Sequence, residues 1–184
     1  MKNRDELPKF FKEQGFKIGA EVGVYKGEFS ELFCKEGLTH YAIDPWKAFD
    51  GQGRTQQRQD RQDFIYGHTQ RLLGKYPNCT IIRKTSMDAL ADFEDGSLDY
   101  VYLDGDHSFM PVAEDIFHWS KKVRKGGIVS GHDYDMTRVG AQNTVIHCKP
   151  VVDAYCTVFG KELVVFGKDN STKNNSFPSW YFVN

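Results

Sequence analysis

The segment Glu21-Val22-Gly23-Val24-Tyr25-Lys26-Gly27 places an acid at the end of a short apolar run, with glycines directly after it. In an open α/β sheet, ligands bind outside the carboxyl ends of the strands, where the first strand turns into its helix. A dinucleotide-binding loop has the spacing G-x-G-x-x-G, whereas the glycines here, at 19, 23 and 27, lie four residues apart. An acid before the loop would repel a pyrophosphate but attract an ammonium group. The pattern therefore favours a ligand that combines an amino-acid portion with a nucleoside.

A second acid, Asp44, ends the next apolar run about 20 residues after Gly23. An acid at this position can accept hydrogen bonds from both hydroxyls of a ribose. Either acid alone is often an ordinary surface residue, but two acids at adjacent strand ends form a consistent pair. The spacing therefore predicts that Glu21 binds the ammonium group of the ligand and that Asp44 binds its ribose.

The elements that must position these residues alternate along the chain, as in a parallel sheet covered by helices. Predicted strands are Ile18–Val22, Thr39–Ile43, Cys79–Arg83, Leu98–Leu103 and Ile128–Ser130. Helices are predicted near Glu6–Gln14 and Phe29–Glu36, and a third carries one apolar stripe of Val112, Ile116, Trp119 and Val123 and ends at Gly126-Gly127. The tail is predicted to form a hairpin of Leu163–Phe166 and Ser179–Val183. The fold class that follows is α/β.

The segment Gly51–Asp63 is rich in Gln and Arg and interrupts this alternation between the second and third strands. Arg54, Arg58 and Arg61 would share one face if the segment were helical. Two interpretations remain open. The segment is either a solvated helix or mobile loop, or part of a lid spanning residues 47–68 that meets an anionic or polyhydroxyl substrate.

The length and composition limit the classes of protein to consider. A chain of 184 residues is expected to form a single domain over residues 1–184. With 24 basic and 25 acidic side chains, it lacks the cationic field that binding to nucleic acid or anionic lipid would need. No apolar run approaches the roughly 20 residues of a membrane span, and the first residues lack a signal-peptide pattern. The four cysteines contain no C-x-x-C pair. We therefore expect a cytoplasmic protein with a small-molecule substrate, and homo-oligomerisation stays open.

Taken together, these motifs resemble those of the class I S-adenosylmethionine-dependent methyltransferases, over nearly the whole chain. Glu21-x-Gly23-x-x-x-Gly27 looks like the loop that holds the methionine part of the cofactor, and Asp44 looks like the acid that binds its ribose. Thr85-Ser86-Met87 falls where the family contacts the adenine. The resemblance implies a Rossmann-like fold with a mostly parallel seven-stranded sheet and a C-terminal antiparallel hairpin. It also implies the cofactor-binding set Glu21, Gly23, Val24, Tyr25, Gly27, Asp44, Pro45, Trp46, Thr85, Ser86 and Asp104. For Trp46, packing inside the protein is an equal alternative to stacking on the adenine or walling the substrate.

Two further motifs, Asp104-Gly105-Asp106-His107 and Gly131-His132-Asp133-Tyr134, are similar to those of metal-dependent O-methyltransferases, in particular the small branch related to macrolide sugar O-methyltransferases. This resemblance implies that Asp104, His132 and Asp133 bind one divalent ion, Mg²⁺ or Mn²⁺. Catechol-type relatives present Asp-Asn at the last pair and the macrolide enzymes an acidic pair, whereas this chain presents His-Asp. A hydrogen-bonded polar cluster that holds the substrate without metal is the alternative.

His107 lies three residues after Asp104, where catechol-type relatives have a catalytic Lys and macrolide sugar enzymes have a His. An alcohol must lose its proton as it attacks the sulfonium methyl group, and an imidazole with a pKa near 6.5 can accept that proton. The resemblance therefore implies that His107 and Asp104 are catalytic. A histidine that caps the following helix is the alternative.

The sequence thus predicts an S-adenosylmethionine-dependent methyltransferase that acts on a hydroxyl oxygen of a small molecule or sugar. A non-catalytic or N-methylating S-adenosylmethionine-binding protein is one alternative. A nicotinamide-dependent oxidoreductase is another, although the spacing of the glycines argues against it.

Overall fold

A computed structural model describes residues 1–48, 58–136, 138–139, 144–167 and 177–184. Within these ranges the strands are β1 (Ile18–Val22), β2 (Thr39–Ile43), β3 (Cys79–Ile82), β4 (Leu98–Leu103), β5 (Val123–Gly131), β6 (Arg138–Val139), β7 (Thr144–Val145), β8 (Val164–Phe166) and β9 (Ser179–Val183). The α-helices are α1 (Leu7–Glu13), α2 (Glu28–Lys35), α3 (Gln59–Leu73), α4 (Ser86–Ala89), α5 (Phe109–Lys122) and α6 (Cys148–Phe159). Short 3-10 helices cover Arg4–Glu6 and Leu90–Asp92.

Seven of these strands form one sheet in the order β3-β2-β1-β4-β5-β9-β8. Strands β1 to β5 pair in parallel, β9 is antiparallel to β5, and β8 is antiparallel to β9. The Rossmann-like α/β class and the antiparallel C-terminal strands are therefore confirmed. Strands β6 and β7 form a separate two-stranded ribbon.

Helices cover both faces of the sheet, because successive side chains of a buried parallel strand point to opposite sides. Tyr100 and Tyr102 of β4 pack with Phe11 of α1 and Phe33 of α2. Val101 faces the other side, where the apolar residues of α5 and α6 cover it. The predicted stripe residues Val112, Ile116 and Trp119 all belong to this second core.

The order of the strands determines where the site lies. Strand β1 lies between β2 and β4. The chain continues from β1 to β2 in one direction along the sheet and from β4 to β5 in the other, so the two connections diverge. A cleft at the carboxyl ends of these strands is where open α/β sheets bind ligands. Gly23 follows β1 with a φ of +92°, and a Cβ there would lie 2.1 Å from the carbonyl oxygen of Asp104. Only glycine allows the two strand ends to approach so closely.

The predicted end of the third helix at Gly126-Gly127 is wrong. Helix α5 ends at Lys122, and Val123 begins β5. Gly126 has a φ of +77° and lies next to a shift of register between β4 and β5. A glycine with positive φ serves a β-bulge as well as a helix end, so the glycine pair marks an irregularity in the strand.

Other elements were not predicted or lie outside the described residues. The sequence did not predict α3 over its length, α4, α6 or the β6–β7 ribbon. Of the predicted lid over residues 47–68, residues 49–57, including Arg54, lie outside the described ranges, as do residues 168–176 between β8 and β9. Among the described residues, no helix is long and apolar enough to cross a membrane.

Candidate functional site

The loop after β1 is shaped by backbone conformations that L-amino acids rarely adopt. Tyr25 has a φ of +53°, and Gly27, which precedes α2, has a φ of +83°. Trp46 after β2 and Asp133 after β5 also have positive φ values, of +40° and +50°. These three non-glycine residues all lie at the carboxyl edge of the sheet. Such strain clusters at functional sites, which supports placing the ligand at this edge.

Asp44 is held by both neighbouring loops. One carboxylate oxygen accepts a hydrogen bond from the backbone N–H of Tyr25 at 3.0 Å, and the other accepts from that of Trp46 at 2.7 Å. Burial raises the pKa of Asp44, and the two N–H groups oppose this shift. The carboxylate is therefore fixed at the end of β2, next to the β1 loop, as the ribose prediction requires.

The indole of Trp46 is packed inside the protein. Its side chain is fully buried, its Nε1 donates to the carbonyl of Tyr25 at 2.8 Å, and its ring lies 4.9 Å from that of Tyr66. The protein covers the ring in this structure, and its contact with adenine or substrate stays a prediction. The packing interpretation is therefore the one that the geometry favours. The carbonyl of the preceding residue, Pro45, accepts a hydrogen bond from Nε of Arg83.

Glu21 points into the protein rather than into the open cleft. It is 2% exposed, and its carboxylate accepts a hydrogen bond from the hydroxyl of Ser30 in α2. Nε2 of His40 lies 3.5 Å from the same carboxylate oxygen, and Nδ1 of His40 lies 3.0 Å from the hydroxyl of Tyr100. Glu21 thus anchors the base of the β1 loop, and its contact with the ammonium group of a ligand stays a prediction.

Thr85 and Ser86, predicted to contact adenine, lie at the start of α4. The hydroxyl of Thr85 accepts a hydrogen bond from the backbone of Asp88, as in a helix cap. The hydroxyl of Ser86 donates to Asp115 on α5 and accepts from Nε1 of Trp119 at 2.8 Å. Burial raises the pKa of Asp115 to about 7, although the Ser86 hydrogen bond opposes the shift. The adenine contact of Thr85 and Ser86 stays a prediction.

The ends of β4 and β5 bring together Asp104, His107, His132 and Asp133. Nε2 of His107 lies 3.1 Å from a carboxylate oxygen of Asp133, and Nδ1 of His132 lies 3.2 Å from the same oxygen. His132 Nδ1 is also 3.9 Å from a carboxylate oxygen of Asp104. The predicted residues on the two strand ends are therefore neighbours, as parallel strands imply.

Opposite charges stabilise one another inside this cluster. Burial opposes ionisation of Asp133, but the hydrogen bond to His132 lowers the pKa of Asp133 below its ordinary value. Burial likewise opposes protonation of His132, but Asp133 and Asp104 raise its pKa. For Asp104 the effect of burial prevails, and its pKa is raised.

The donor set fits a divalent ion, though with a different histidine than the sequence predicts. Asp104, His107 and Asp133 offer ligand atoms that all lie within 4.8 Å of one another. His132 binds Asp133 through Nδ1, and its Nε2 is buried without a hydrogen-bond partner. Carboxylate ligands suit Mg²⁺ or Mn²⁺, and an imidazole ligand favours Mn²⁺ or a softer ion.

His107 does not take the capping role that was its alternative. The carboxylate of Asp106 accepts the hydrogen bond from the backbone of Ser108, the residue before α5, at 2.8 Å. The side chain of His107 instead contacts Asp133 and, at 3.8 Å from Nδ1, the Sγ of Cys148. About a third of the side chain is exposed.

Two residues of the site were missed by the sequence interpretation. Arg4 donates from Nη1 to a carboxylate oxygen of Asp104 at 2.9 Å. Cys148, the first residue of α6, is buried against His107, and burial raises the pKa of its thiol. Neither residue belongs to a motif, and they lie 100 and 44 residues from Asp104 in the chain. No local signal in the sequence could have found them.

Comparison with known proteins gives a family match and similar folds. A family model described as a methyltransferase domain matches residues 20–134. A candidate caffeoyl-CoA O-methyltransferase from Staphylococcus aureus superposes with a TM-score of 0.70 at 11% identity, covering 98% of this chain and 82% of that one. The O-methyltransferase from Bacillus cereus in complex with SAH gives a TM-score of 0.63 at 11% identity, covering 98% and 80%. N-methyltransferase NodS from Bradyrhizobium japonicum WM9 gives 0.64 at 11% identity, covering 98% and 94%.

One curated relative is also similar in sequence. The uncharacterized protein y4gI of Sinorhizobium fredii (strain NBRC 101917 / NGR234) is 27% identical in an alignment over 126 residues that covers 65% of this chain. The matched region spans 13% of the length of that relative.

Proposed function

The chain belongs to the family of methyltransferase domains, and from this premise we propose that it transfers the methyl group of S-adenosylmethionine to a hydroxyl oxygen of a small molecule or sugar. The observation that carries the proposal is the position of His107 and Asp133 beside Asp104, next to the β1 loop. This position puts a proton acceptor close to the expected donor of the methyl group.

The cofactor would bind across the carboxyl ends of β1, β2 and β4. The loop from Gly23 to Gly27 would hold the amino-acid end, and Asp44, already fixed by two backbone N–H groups, would accept hydrogen bonds from the ribose hydroxyls. The backbone carbonyl of Asp104 lies against Gly23 and would accept a hydrogen bond from the ammonium group. Charge-assisted hydrogen bonds of this kind each contribute about 1.5–3 kcal/mol.

In the reaction, the acceptor oxygen would attack the methyl carbon as the bond from that carbon to sulfur breaks, and sulfur would keep the electron pair. The hydroxyl proton would pass to Nδ1 of His107, whose contact in this structure is the thiol of Cys148 at 3.8 Å. A thiol is a weak hydrogen-bond partner, so a hydroxyl can replace it. Asp133 on Nε2 would orient the ring and stabilise the imidazolium that forms.

The proposed metal would be held by Asp104, Asp133 and one histidine, which is His107 in the group of ligand atoms seen in the structure and His132 in the sequence prediction. A bound divalent ion would make the acceptor hydroxyl more acidic. If His107 binds the ion, it cannot also accept the proton, so His132 as the ligand and His107 as the base is the division that we propose.

Transfer of the methyl group to a nitrogen is the alternative, and the chemistry of the acceptor distinguishes the two reactions. A neutral amine attacks before it loses a proton, so it has less need of a base than a hydroxyl does. The Asp133–His107 pair is thus the feature that favours oxygen over nitrogen.

The test is methyl transfer from labelled S-adenosylmethionine to matched acceptors that differ in one group, such as catechol with 2-aminophenol and glucose with glucosamine. We expect methylated hydroxyls, identified by mass spectrometry, and loss of product with Asp44→Ala. Asp95→Ala is the matched control, because Asp95 is exposed, pairs with Lys122 and lies before the amino end of β4, away from the carboxyl edge. Products methylated solely at nitrogen would contradict the proposal for oxygen, and failure to bind S-adenosylmethionine would contradict the function as a whole.

A further inference from the structure

The first residues of the chain reach the candidate site and are held there by packing. Arg4 begins a 3-10 helix in which the side chain of Asn3 accepts a hydrogen bond from the backbone of Asp5 at 3.0 Å. Leu7 and Phe11 of the following helix α1 are fully buried in the core beneath the sheet. This anchoring determines the place of Arg4 at the carboxyl edge of β4.

The guanidinium of Arg4 lies at the junction of the β1 loop and Asp104. Its Nη1 is 2.9 Å from a carboxylate oxygen of Asp104, and its Cζ is 4.9 Å from the centre of the ring of Phe29, in the first turn of α2. The backbone N–H of Asp104 donates to Val22 at 2.8 Å, and its carbonyl lies against Gly23. The guanidinium therefore borders the space that the proposed function gives to the amino-acid end of the cofactor.

The negative charges around this space would repel the carboxylate of a bound cofactor, and Arg4 is the positive group that would compensate for that repulsion. The amino-acid end of S-adenosylmethionine carries an ammonium and a sulfonium group, which suit Asp104, but it also carries a carboxylate. Glu21, Asp104 and Asp133 would all repel that carboxylate, whereas Arg4 would attract it. A guanidinium offers five N–H donors in a planar fork, so it can bind Asp104 and a second carboxylate together.

We propose that Arg4 binds the carboxylate of the cofactor's amino-acid end while it keeps its ion pair with Asp104. The inference rests on the proposed function, since it requires a cofactor with an amino-acid portion. In this arrangement Arg4 selects ligands that carry the carboxylate, and the backbone carbonyl of Asp104, which lies against Gly23, accepts from the ammonium group. Arg4 is thus a binding residue contributed by the chain before β1.

The test compares two ligands by calorimetric titration: S-adenosylhomocysteine, and its decarboxylated form, 5′-deoxy-5′-(3-aminopropylthio)adenosine, which keeps the ammonium group. We expect the unmodified protein to bind S-adenosylhomocysteine at least tenfold more tightly than the amine. Arg4→Gln should weaken S-adenosylhomocysteine about 10- to 100-fold and leave the affinity for the amine within about threefold. Arg4→Lys should give an intermediate loss, because it keeps the charge without the fork.

Lys9→Gln is the matched control, since Lys9 lies on α1 with its side chain 72% exposed, and both affinities should stay unchanged. An equal loss for both ligands in Arg4→Gln would show that Arg4 only supports the fold, and no loss for either would also overturn the proposal. If Arg4→Gln does not fold, the preference of the unmodified protein decides: an amine that binds as tightly as S-adenosylhomocysteine overturns the proposal. Binding of neither ligand by the unmodified protein would instead overturn the proposed function, on which this inference depends.

Discussion

Replacing Asp115 by Asn is expected to stabilise the protein at alkaline pH. Asp115 lies on α5, is 6% exposed, and accepts a hydrogen bond from the hydroxyl of Ser86. Burial, together with the charges of Glu114 and Asp106, raises its pKa to about 7, while the Ser86 hydrogen bond opposes the shift. An aspartate in the unfolded chain titrates near 3.9. The folded protein therefore holds a proton on Asp115 over a range of pH in which the unfolded chain has lost it.

The sign and size of the effect follow from this difference. Because the folded state binds the proton more tightly, the free energy of unfolding decreases as the pH rises from about 4 to about 7. At 1.36 kcal/mol per pKa unit, the full loss is about 4 kcal/mol, of which about 3 kcal/mol falls between pH 5 and pH 8. An amide has nearly the same shape as the carboxyl and does not ionise. The loss should therefore be absent in Asp115→Asn.

Urea unfolding of both proteins between pH 5 and pH 8 measures this effect. The difference in the free energy of unfolding between Asp115→Asn and the unmodified protein should increase by about 3 kcal/mol in favour of the variant over this range. Asp95→Asn is the control, because the ion pair with Lys122 lowers the pKa of Asp95 and keeps its titration below the range. Parallel pH profiles for the unmodified protein and Asp115→Asn would refute the argument from burial.

Three further outcomes test the proposed site. Asp44→Ala, and on the sequence prediction Glu21→Ala, should weaken S-adenosylhomocysteine binding about 10- to 100-fold in a calorimetric titration; unchanged affinity in a folded variant would remove the residue from the cofactor site. Exhaustive chelation should abolish turnover, and added Mg²⁺ or Mn²⁺ should restore it in the unmodified protein but not in Asp104→Asn. Full turnover without metal would show that these residues form a polar cluster that needs no ion. His107→Ala should lower kcat about 10²- to 10⁴-fold with little change in affinity for S-adenosylmethionine. A variant that keeps more than about a tenth of kcat, with the chemical step rate-limiting, would assign the base elsewhere.

The sequence by itself determined the central strands and the acids at their ends. β1, β2 and β4 have the predicted bounds, because each is a short, largely apolar segment between more polar residues, as is typical of a strand buried on both faces. Once the strands are parallel, their carboxyl ends share one edge, so Asp44 and Asp104 were expected on the same edge of the sheet. The family match agrees with the motif after β1.

Some elements have no regular spacing of apolar residues in the sequence, and their place in the fold is determined by tertiary packing. Helix α3 buries Gln62 and Thr69 along with Ile65 and Leu73, so its buried face has no clean hydrophobic stripe in the sequence. Gly126 is equally suited to a helix end and to a bulge, and only the pairing of β5 with its neighbours distinguishes the two.

The side-chain contacts of the site were likewise decided by the tertiary structure. Glu21 ends its strand as predicted, but its carboxylate turns inward to Ser30 because α2 packs over it. The ion pair of Arg4 with Asp104 joins residues 100 apart in the chain, and the contact of His107 with Cys148 joins residues 41 apart. Hydrophobic periodicity reports neighbours within a few turns of a helix or a few residues of a strand, whereas such contacts depend on the path of the whole chain, and only the packed fold specifies that path.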